Sequence, residues 1–331
     1  MVKFLIVRFS SIGDIVLTTP VVRCLKQQVE EANIHFLTKK QYLPVVKNNP
    51  YIDKIHLLDN NFKKLTAELR KENFDYIIDL HKNLRTSRLK INLKRISFSF
   101  NKLNFKKWLL VNFKIHCLPK IHIVDRYFKA VSIFSVKNDN KGLDYFIDES
   151  EDIKNSNLPK EFANKYIVFV IGAKHYTKQL PEQKIISIIN KINYPVVLLG
   201  GEEDFQKGKN IEEKSTCNVY NACGKLMLNE SAFVIQNSKL VIAHDTGLMH
   251  IAAAFNKKII SIWGNTIPGF GMYPYNADKD SLIAEVQGLK CRPCTKIGYK
   301  KCPKGHFNCM NKIDEQKIVN HVKMILNKIN S

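Results

Sequence analysis

Short apolar runs and helix-period segments alternate along most of the chain. Residues 2–7, 34–37, 55–58 and 76–80 are mainly apolar runs of strand length, and the gaps between them carry helical spacing, most clearly at 62–71. A helix is expected over about 15–29, with Pro20 forcing a short first turn or a kink. Residues 137–165 then turn polar, rich in Asn, Asp, Glu and Ser, and include Pro159. This stretch is the best linker candidate and puts a domain boundary near residue 160. A second alternation follows: strands at 166–171, 196–199, 219–220, 240–243 and 259–264, with helices from Pro181 to about 192, at 226–237 and from 248 onwards. A terminal amphipathic helix covers about 313–329. Strand–helix alternation of this kind predicts α/β architecture with parallel sheets, here two doubly wound, Rossmann-like domains spanning 1–160 and 161–331. By analogy with such folds, the terminal helix is expected to cross back to the first domain.

In doubly wound sheets the ligand chemistry collects in the turns after the strands. The most informative turn is in LVIAHDTGLMHIAAA, residues 240–254. Asp245 and Thr246 suit a helix start, and Gly247 permits close backbone approach. Such a turn is either an ordinary capped strand–helix junction or a phosphate site built on free helix N–H groups. Asp14, after Gly13, is in the same way either a cap or a site carboxylate. Lys82, Arg85 and Arg88 follow the strand at 76–80 and are expected on one helical face, where arginines can pair bidentately with carboxylate or phosphate. Lys174 and Lys178 lie in the loop after residue 171. Glu202, with Glu203 and Asp204 beside it, follows a glycine turn of the kind whose carboxylate accepts ribose hydroxyls. Met227 is expected to pack in the core.

Composition narrows the partners. The 331 residues are 45% hydrophobic, enough for two folded cores, and carry 52 Lys and Arg against 30 Asp and Glu, a net charge of +22. An acidic partner follows: nucleic acid, an anionic membrane surface or an acidic glycolipid. From Lys82 to Lys120 there are eleven basic residues and no acidic one, interleaved with Phe98, Phe100, Phe105, Trp108 and Phe113. That pattern suits a membrane surface as well as a solvated basic face. There is no spanning segment, and the N-terminus is too short and too early interrupted by Arg8 for a signal peptide, so a cytoplasmic protein is expected. Four of the eight cysteines, Cys291, Cys294, Cys302 and Cys309, fall within nineteen residues, with His306 among them as an alternative ligand. In a cytoplasmic chain this spacing favours structural zinc or thiol chemistry over disulfides, with reduced thiols as the alternative. Asp278-x-Asp280 follows no apolar strand and is expected to be a solvated loop rather than a divalent-cation site.

Several of these segments, in order, resemble one family. KFLIVRFSSIGDIVLTTP, DLHKNLRTSRL, IGAKHYTKQLP, VVLLGGEED and DTGLMHIAAA with ISIWG look like the signature of the heptosyltransferases, glycosyltransferase family 9. The resemblance implies two domains facing each other across a cleft in a GT-B-like arrangement, the first binding acceptor and the second a nucleotide sugar. It implies Asp14 as catalytic base, with Gly13 beside it, and Lys82, Arg85 and Arg88 toward the acceptor. It implies Lys178, Asp245, Thr246, Gly247, Leu248 and His250 at the donor diphosphate, Lys174 as a weaker candidate there, and Glu202 at the nucleoside. Where the family usually continues Gly-Pro-Thr, this chain has Gly264-Asn265-Thr266, a departure at the middle residue. The expected activity is inverting transfer of heptose from ADP-heptose to an acidic lipopolysaccharide core acceptor, at or near the cytoplasmic face of the inner membrane, with no essential catalytic cofactor. A transferase using another nucleotide sugar is the alternative. A nucleic-acid- or membrane-binding protein with an inactive cleft is a third reading. No RNA-binding motif supports a nucleic-acid partner, and none is expected.

Overall fold

The computed structural model describes residues 1–148, 158–162 and 165–330, so part of the polar 137–165 stretch lies outside the described residues. Contacts divide the chain into two compact units: Met1–Lys102 with Ile121–Ile147, and Leu103–Lys120 with Asp148–Ser331.

The first unit holds five parallel strands, β1 (Val2–Val7), β2 (Ala32–Lys39), β3 (Lys54–Leu58), β4 (Tyr76–Asp79) and β5 (Ile96–Ser99), in the order β3-β2-β1-β4-β5. Its helices are α1 (Ile12–Val16), α2 (Thr19–Gln28), α3 (Leu43–Val46), α4 (Phe62–Lys71), α5 (Leu84–Leu93) and, in the returning segment, α7 (Ile123–Phe128); α6 (Asn104–Phe113) belongs to the second unit. The expected helix over 15–29 is two helices. Pro20 sits in the first turn of α2, where its missing N–H costs nothing, and the chain breaks before it. Strand order reverses between β1 and β4, so the loops leaving those strands flank the switch point. Arg23 of α2 is buried and grips Asp139 with two 2.8 Å hydrogen bonds and also pairs with Asp144. This fastens the returning segment to the first unit.

The second unit has six parallel strands, β6 (Ile167–Val170), β7 (Val196–Leu199), β8 (Val219–Asn221), β9 (Val241–His244), β10 (Ile259–Trp263) and β11 (Leu282–Glu285), in the order β11-β10-β9-β6-β7-β8. Its remaining helices are α8 (Glu182–Ile192), α9 (Phe205–Lys214), α10 (Leu228–Asn237), α11 (Gly247–Ala254), α12 (Asn308–Asn311) and α13 (Glu315–Asn330). The reversal here falls between β6 and β9. All four residues of β6, β7 and β9 are buried, as a sheet covered on both faces requires.

Three expectations about organisation are corrected. The terminal helix does not cross back: Ile318, Val319, Val322 and Ile325 are buried in the second unit's core, and Glu315 binds Lys184, Ser187 and Lys191 of α8. The segment that changes unit is instead 103–120. Lys107 lies over the Phe270 ring at 5.5 Å and Lys114 donates to the Pro293 carbonyl at 2.8 Å, contacts that local periodicity does not encode. Two edge strands, β5 and β11, were not expected. Each is only four residues long and half-exposed, so neither shows the continuous apolar run of a central strand.

Candidate active site

In the second unit, the loops leaving β6 and β9 bring Lys178 and Asp245 together. The Lys178 ammonium donates to Asp245 Oδ2 at 2.6 Å and to the Asp245 carbonyl at 3.2 Å. Thr266, at the exit of β10, donates its hydroxyl to the same Oδ2 at 3.0 Å. Thr246 caps α11, and its Oγ1 is buried without a hydrogen-bond partner. The first N–H groups of α11 have no intrahelical acceptor. Gly247 and Leu248 open that helix half-buried, while His250 is buried one turn further in. Below the turn, His244 is buried and its Nε2 accepts from the Leu180 amide at 2.9 Å, which fixes the neutral ring with its proton on Nδ1. Burial, with Lys207 nearby, pushes its pKa down to about 3. The ring therefore serves as a neutral strut that holds the Lys178 loop against β9.

The other second-unit candidates are more open. Lys174 and Glu202 are exposed. Of the three acids after β7, Asp204 is buried and accepts from the Gly201 amide at 3.0 Å, so it shapes the turn and leaves Glu202 and Glu203 outward. The glycines there are sterically required: a Cβ on Gly172 would come within 2.1 Å of Asp204 Oδ2. Met227 is exposed, contrary to the core position expected for it, because it stands at the N-cap of α10 outside the packed turns.

In the first unit, Asp14 sits in the first turn of α1 after Gly13. Arg8, at the exit of β1, donates to Asp14 Oδ1 at 2.6 Å, and the Ser11 hydroxyl donates to Oδ2 at 2.9 Å. Burial pushes the Asp14 carboxyl up, but the Arg8 charge and the Ser11 hydrogen bonds outweigh it and hold the pKa below the ordinary carboxylate value. Arg8 is itself locked by the Ser10 carbonyl at 2.7 Å, the Leu80 carbonyl at 2.5 Å and the Tyr127 hydroxyl at 3.1 Å. Its guanidinium thus ties the β1 loop to the β4 loop across the switch point. Beside it lies a hollow of about 540 Å³ lined by Ser10, Lys39, His81, Asn83 and Arg85 among others. Burial, with repulsion from Arg8 and Lys102, lowers the His81 pKa to about 4, so the ring is neutral near pH 7.

The expected basic face separates into three destinations. Arg85 lines the hollow, Arg88 lies over the Phe62 ring at 5.5 Å, and Lys82 reaches the Phe100 carbonyl at 3.1 Å. Lys82 is not on the helix at all. It has φ 49° in the turn before α5, where its amide donates to Asp79. Sequence reasoning missed Arg8, Lys90, Lys102 and Tyr127. Lys90 pairs with the fully buried Asp79 at 3.2 Å. Burial and the Arg8 charge lower the Lys102 pKa. Arg8 did leave a signal, a charge at the end of a buried strand that demands a partner. The others reach the site from distant parts of the chain.

Residues 62–301 match the family model described as glycosyltransferase family 9 (heptosyltransferase). The chain belongs to that family. Lipopolysaccharide heptosyltransferase 1 of Campylobacter coli is 26% identical over 97% of this chain and 98% of its own length. Among solved structures, the E. coli ADP-heptose lps heptosyltransferase II aligns with a TM-score of 0.75 at 19% identity, covering 99% of this chain and 100% of its own. E. coli heptosyltransferase WaaC with ADP aligns at 0.68 and 18% identity, covering 98% and 99%. These structures share the fold of two parallel-sheet α/β domains with this family 9 glycosyltransferase.

Two clusters in the transferase have metal-ligand composition. Cys291, Cys294, Cys302 and Cys309 are free thiols; burial first, then the neighbouring sulfurs, pushes Cys294 and Cys309 up to about 11. Among the described residues, no three of these sulfurs lie within 4.8 Å of one another, and Cys294 Sγ points at the Cys291 carbonyl, 3.0 Å away. His306 Nδ1 accepts from the Asn308 amide. The segment is instead laced to the donor-side loops. Tyr299 and Thr177 exchange hydrogen bonds, and Arg292 holds the Thr266 carbonyl at 2.8 Å. His35, His56 and Glu72 do bring three ligand atoms within 4.8 Å. There the two rings already hydrogen-bond at 2.9 Å, and Lys54 and Lys3 lie at 2.5 and 3.6 Å from Glu72. That charge balance opposes a cation. The Asp278 and Asp280 carboxylates are taken by Lys258, with Lys328 also on Asp280.

Proposed function

We propose that this family 9 glycosyltransferase moves heptose from ADP-heptose to an acidic, lipopolysaccharide-type core acceptor, with inversion at the anomeric carbon. The carrying observation is the Lys178–Asp245–Thr266 cluster at the start of α11, beside the β6/β9 switch point. An ammonium next to open helix N–H groups is suited to a diphosphate. The names of the E. coli relatives, which carry ADP-heptose and ADP, support the donor.

In this reading the acceptor oxygen attacks the anomeric carbon, its proton passes to an Asp14 oxygen, and the sugar–phosphate bond breaks with its electrons on the departing ADP. Lys178 shifts from Asp245 to the diphosphate, and the amides at Thr246, Gly247 and Leu248 take up further charge. His250 supports that turn from inside the helix, Lys174 lies on its open side, and Glu202 accepts the ribose hydroxyls. Gly13 leaves room for the acceptor beside Asp14. Arg85 and Lys102 are the cations toward its acidic groups, with Lys82 and Arg88 contributing longer-range field. Diphosphate stabilisation by these groups requires no divalent ion. We further propose that the four cysteines take up zinc only with a local rearrangement that draws their sulfurs together. About one zinc per purified chain is the expected result, and none removes the site.

Calorimetry with ADP, UDP, GDP and ADP-heptose, on the native protein and on Lys178→Ala, tests the donor. Selective ADP binding that weakens in the variant is expected. Preference for UDP or GDP replaces the donor, and no nucleotide binding at all overturns the reading.

A further inference from the structure

Helix α6 is held on one side and bare on the other. Leu110 is buried, Lys107 stacks over Phe270, and Lys114 is pinned to the Val111 and Pro293 carbonyls at 2.8 Å each. On the opposite side Phe105, Trp108 and Phe113 are 70%, 46% and 60% exposed, followed by Ile115 at 51%. The rings pack on one another, Phe105 against Trp108 at 6.1 Å and Trp108 against Phe113 at 5.2 Å. A fixed aromatic cluster of this size in water is unfavourable unless something covers it. Lys106 and Lys120 are exposed around it, and the chain has no acidic residue between Asp79 and Asp125.

We infer that this face of α6 docks the protein on an anionic membrane surface, with Phe105, Trp108 and Phe113 at headgroup level and the surrounding lysines on the lipid phosphates. Charge complementarity selects that occupant. A second copy of the chain would bring like-charged lysines together. A single-stranded nucleic acid tracks a basic groove with bases stacked on separate rings, whereas these rings form one convex cluster on a helix face, Trp108 contacting both Phe105 and Phe113. Aromatic and aliphatic side chains ringed by lysines match the interfacial zone of a bilayer. Among the described residues no helix is long and apolar enough to cross a membrane, so this is surface docking by one helix face. The docking surface is independent of which nucleotide sugar the transferase uses.

The chain carries its own probe. It has two tryptophans, and Trp263 is 1% exposed, so a change in emission on adding vesicles comes from Trp108. With phosphatidylglycerol-containing vesicles, Trp108 emission should shift to the blue and be quenched by brominated lipid chains. The protein should sediment with these vesicles and far less with pure phosphatidylcholine. F105S/F113S, which keeps the reporter, should lower partitioning at least tenfold. K106Q/K120Q should lower it about fivefold or more and flatten its salt dependence. Unchanged melting and ADP binding in both variants separate docking from folding and from the donor site. Emission that stays put with no sedimentation overturns the inference, and this arm needs no variant. So does a Trp108 change caused by RNA, or by protein concentration alone.

Discussion

The two switch points carry the same pair of charges with the parts exchanged. In the first unit Arg8 and Asp14 meet at 2.6 Å, and the arginine is the fixed member, bonded to two carbonyls and a tyrosine hydroxyl. In the second unit Lys178 and Asp245 meet at 2.6 Å, and the carboxylate is the fixed member, held by Thr266 at the head of a helix. A planar guanidinium with several donors suits a permanent brace, whereas an ammonium on a flexible stem suits a group that leaves its partner for a phosphate. In the proposed mechanism the residue assigned the chemistry is, in each unit, the less anchored one. The anchored partner aims it.

That contrast orders the expected effects. Asp14→Asn, which keeps size but cannot take a proton, should lower kcat about a thousandfold while ADP binding by calorimetry stays unchanged. Near-normal turnover in Asp14→Asn removes the base. Lys178→Ala should lower kcat about a hundredfold and also weaken ADP, because its charge is used in the ground state as well as on departure. An effect confined to KM would make it a binding residue only.

The braces should cost less and in a different currency. Arg8→Lys removes the fork that favours ionised Asp14, so the Asp14 pKa rises and the acid limb of kcat/KM moves to higher pH. A fall in rate at all pH values with the limb unmoved would reduce Arg8 to a purely structural role. Thr266→Val frees one hydrogen bond on Asp245 and should weaken ADP about fivefold, read by the same calorimetry.

The smallest expected effect on turnover comes from the His35–His56 pair, which touches neither site and serves as the control. Burial, then repulsion from His35, lowers the His56 pKa to about 4, and burial lowers His35 as well. The folded state thus prefers the neutral rings, and their contribution is intact above the unfolded value near 6.5. It is lost as pH falls from there toward 4, on the order of 3 kcal/mol for His56. His56→Gln should flatten the dependence of thermal melting on pH in that window and leave kcat within about twofold.

Local pattern was enough for the central strands and the turns that carry the candidate site. Runs such as 2–7 and 240–243 read as buried strands, with Asp245-Thr246-Gly247 directly after one and Gly13-Asp14 a short loop beyond the other, so strand and turn are encoded within fifteen residues of one another. Pro20 likewise announced a helix break that local sterics enforce. The family itself was legible because several such turns occur in order. Pairings were not. That Arg8 braces Asp14, that Lys90 and not Arg88 answers Asp79, that Lys82 turns back to Phe100, and that residues 103–120 join the second unit while the terminal helix stays within it all depend on which strands become neighbours. Sequence therefore determined where each site could be, because strand ends and helix starts are local. Tertiary structure decided which charge answers which, because a buried ion pair is settled by whatever partner the packed sheets bring within a few ångströms.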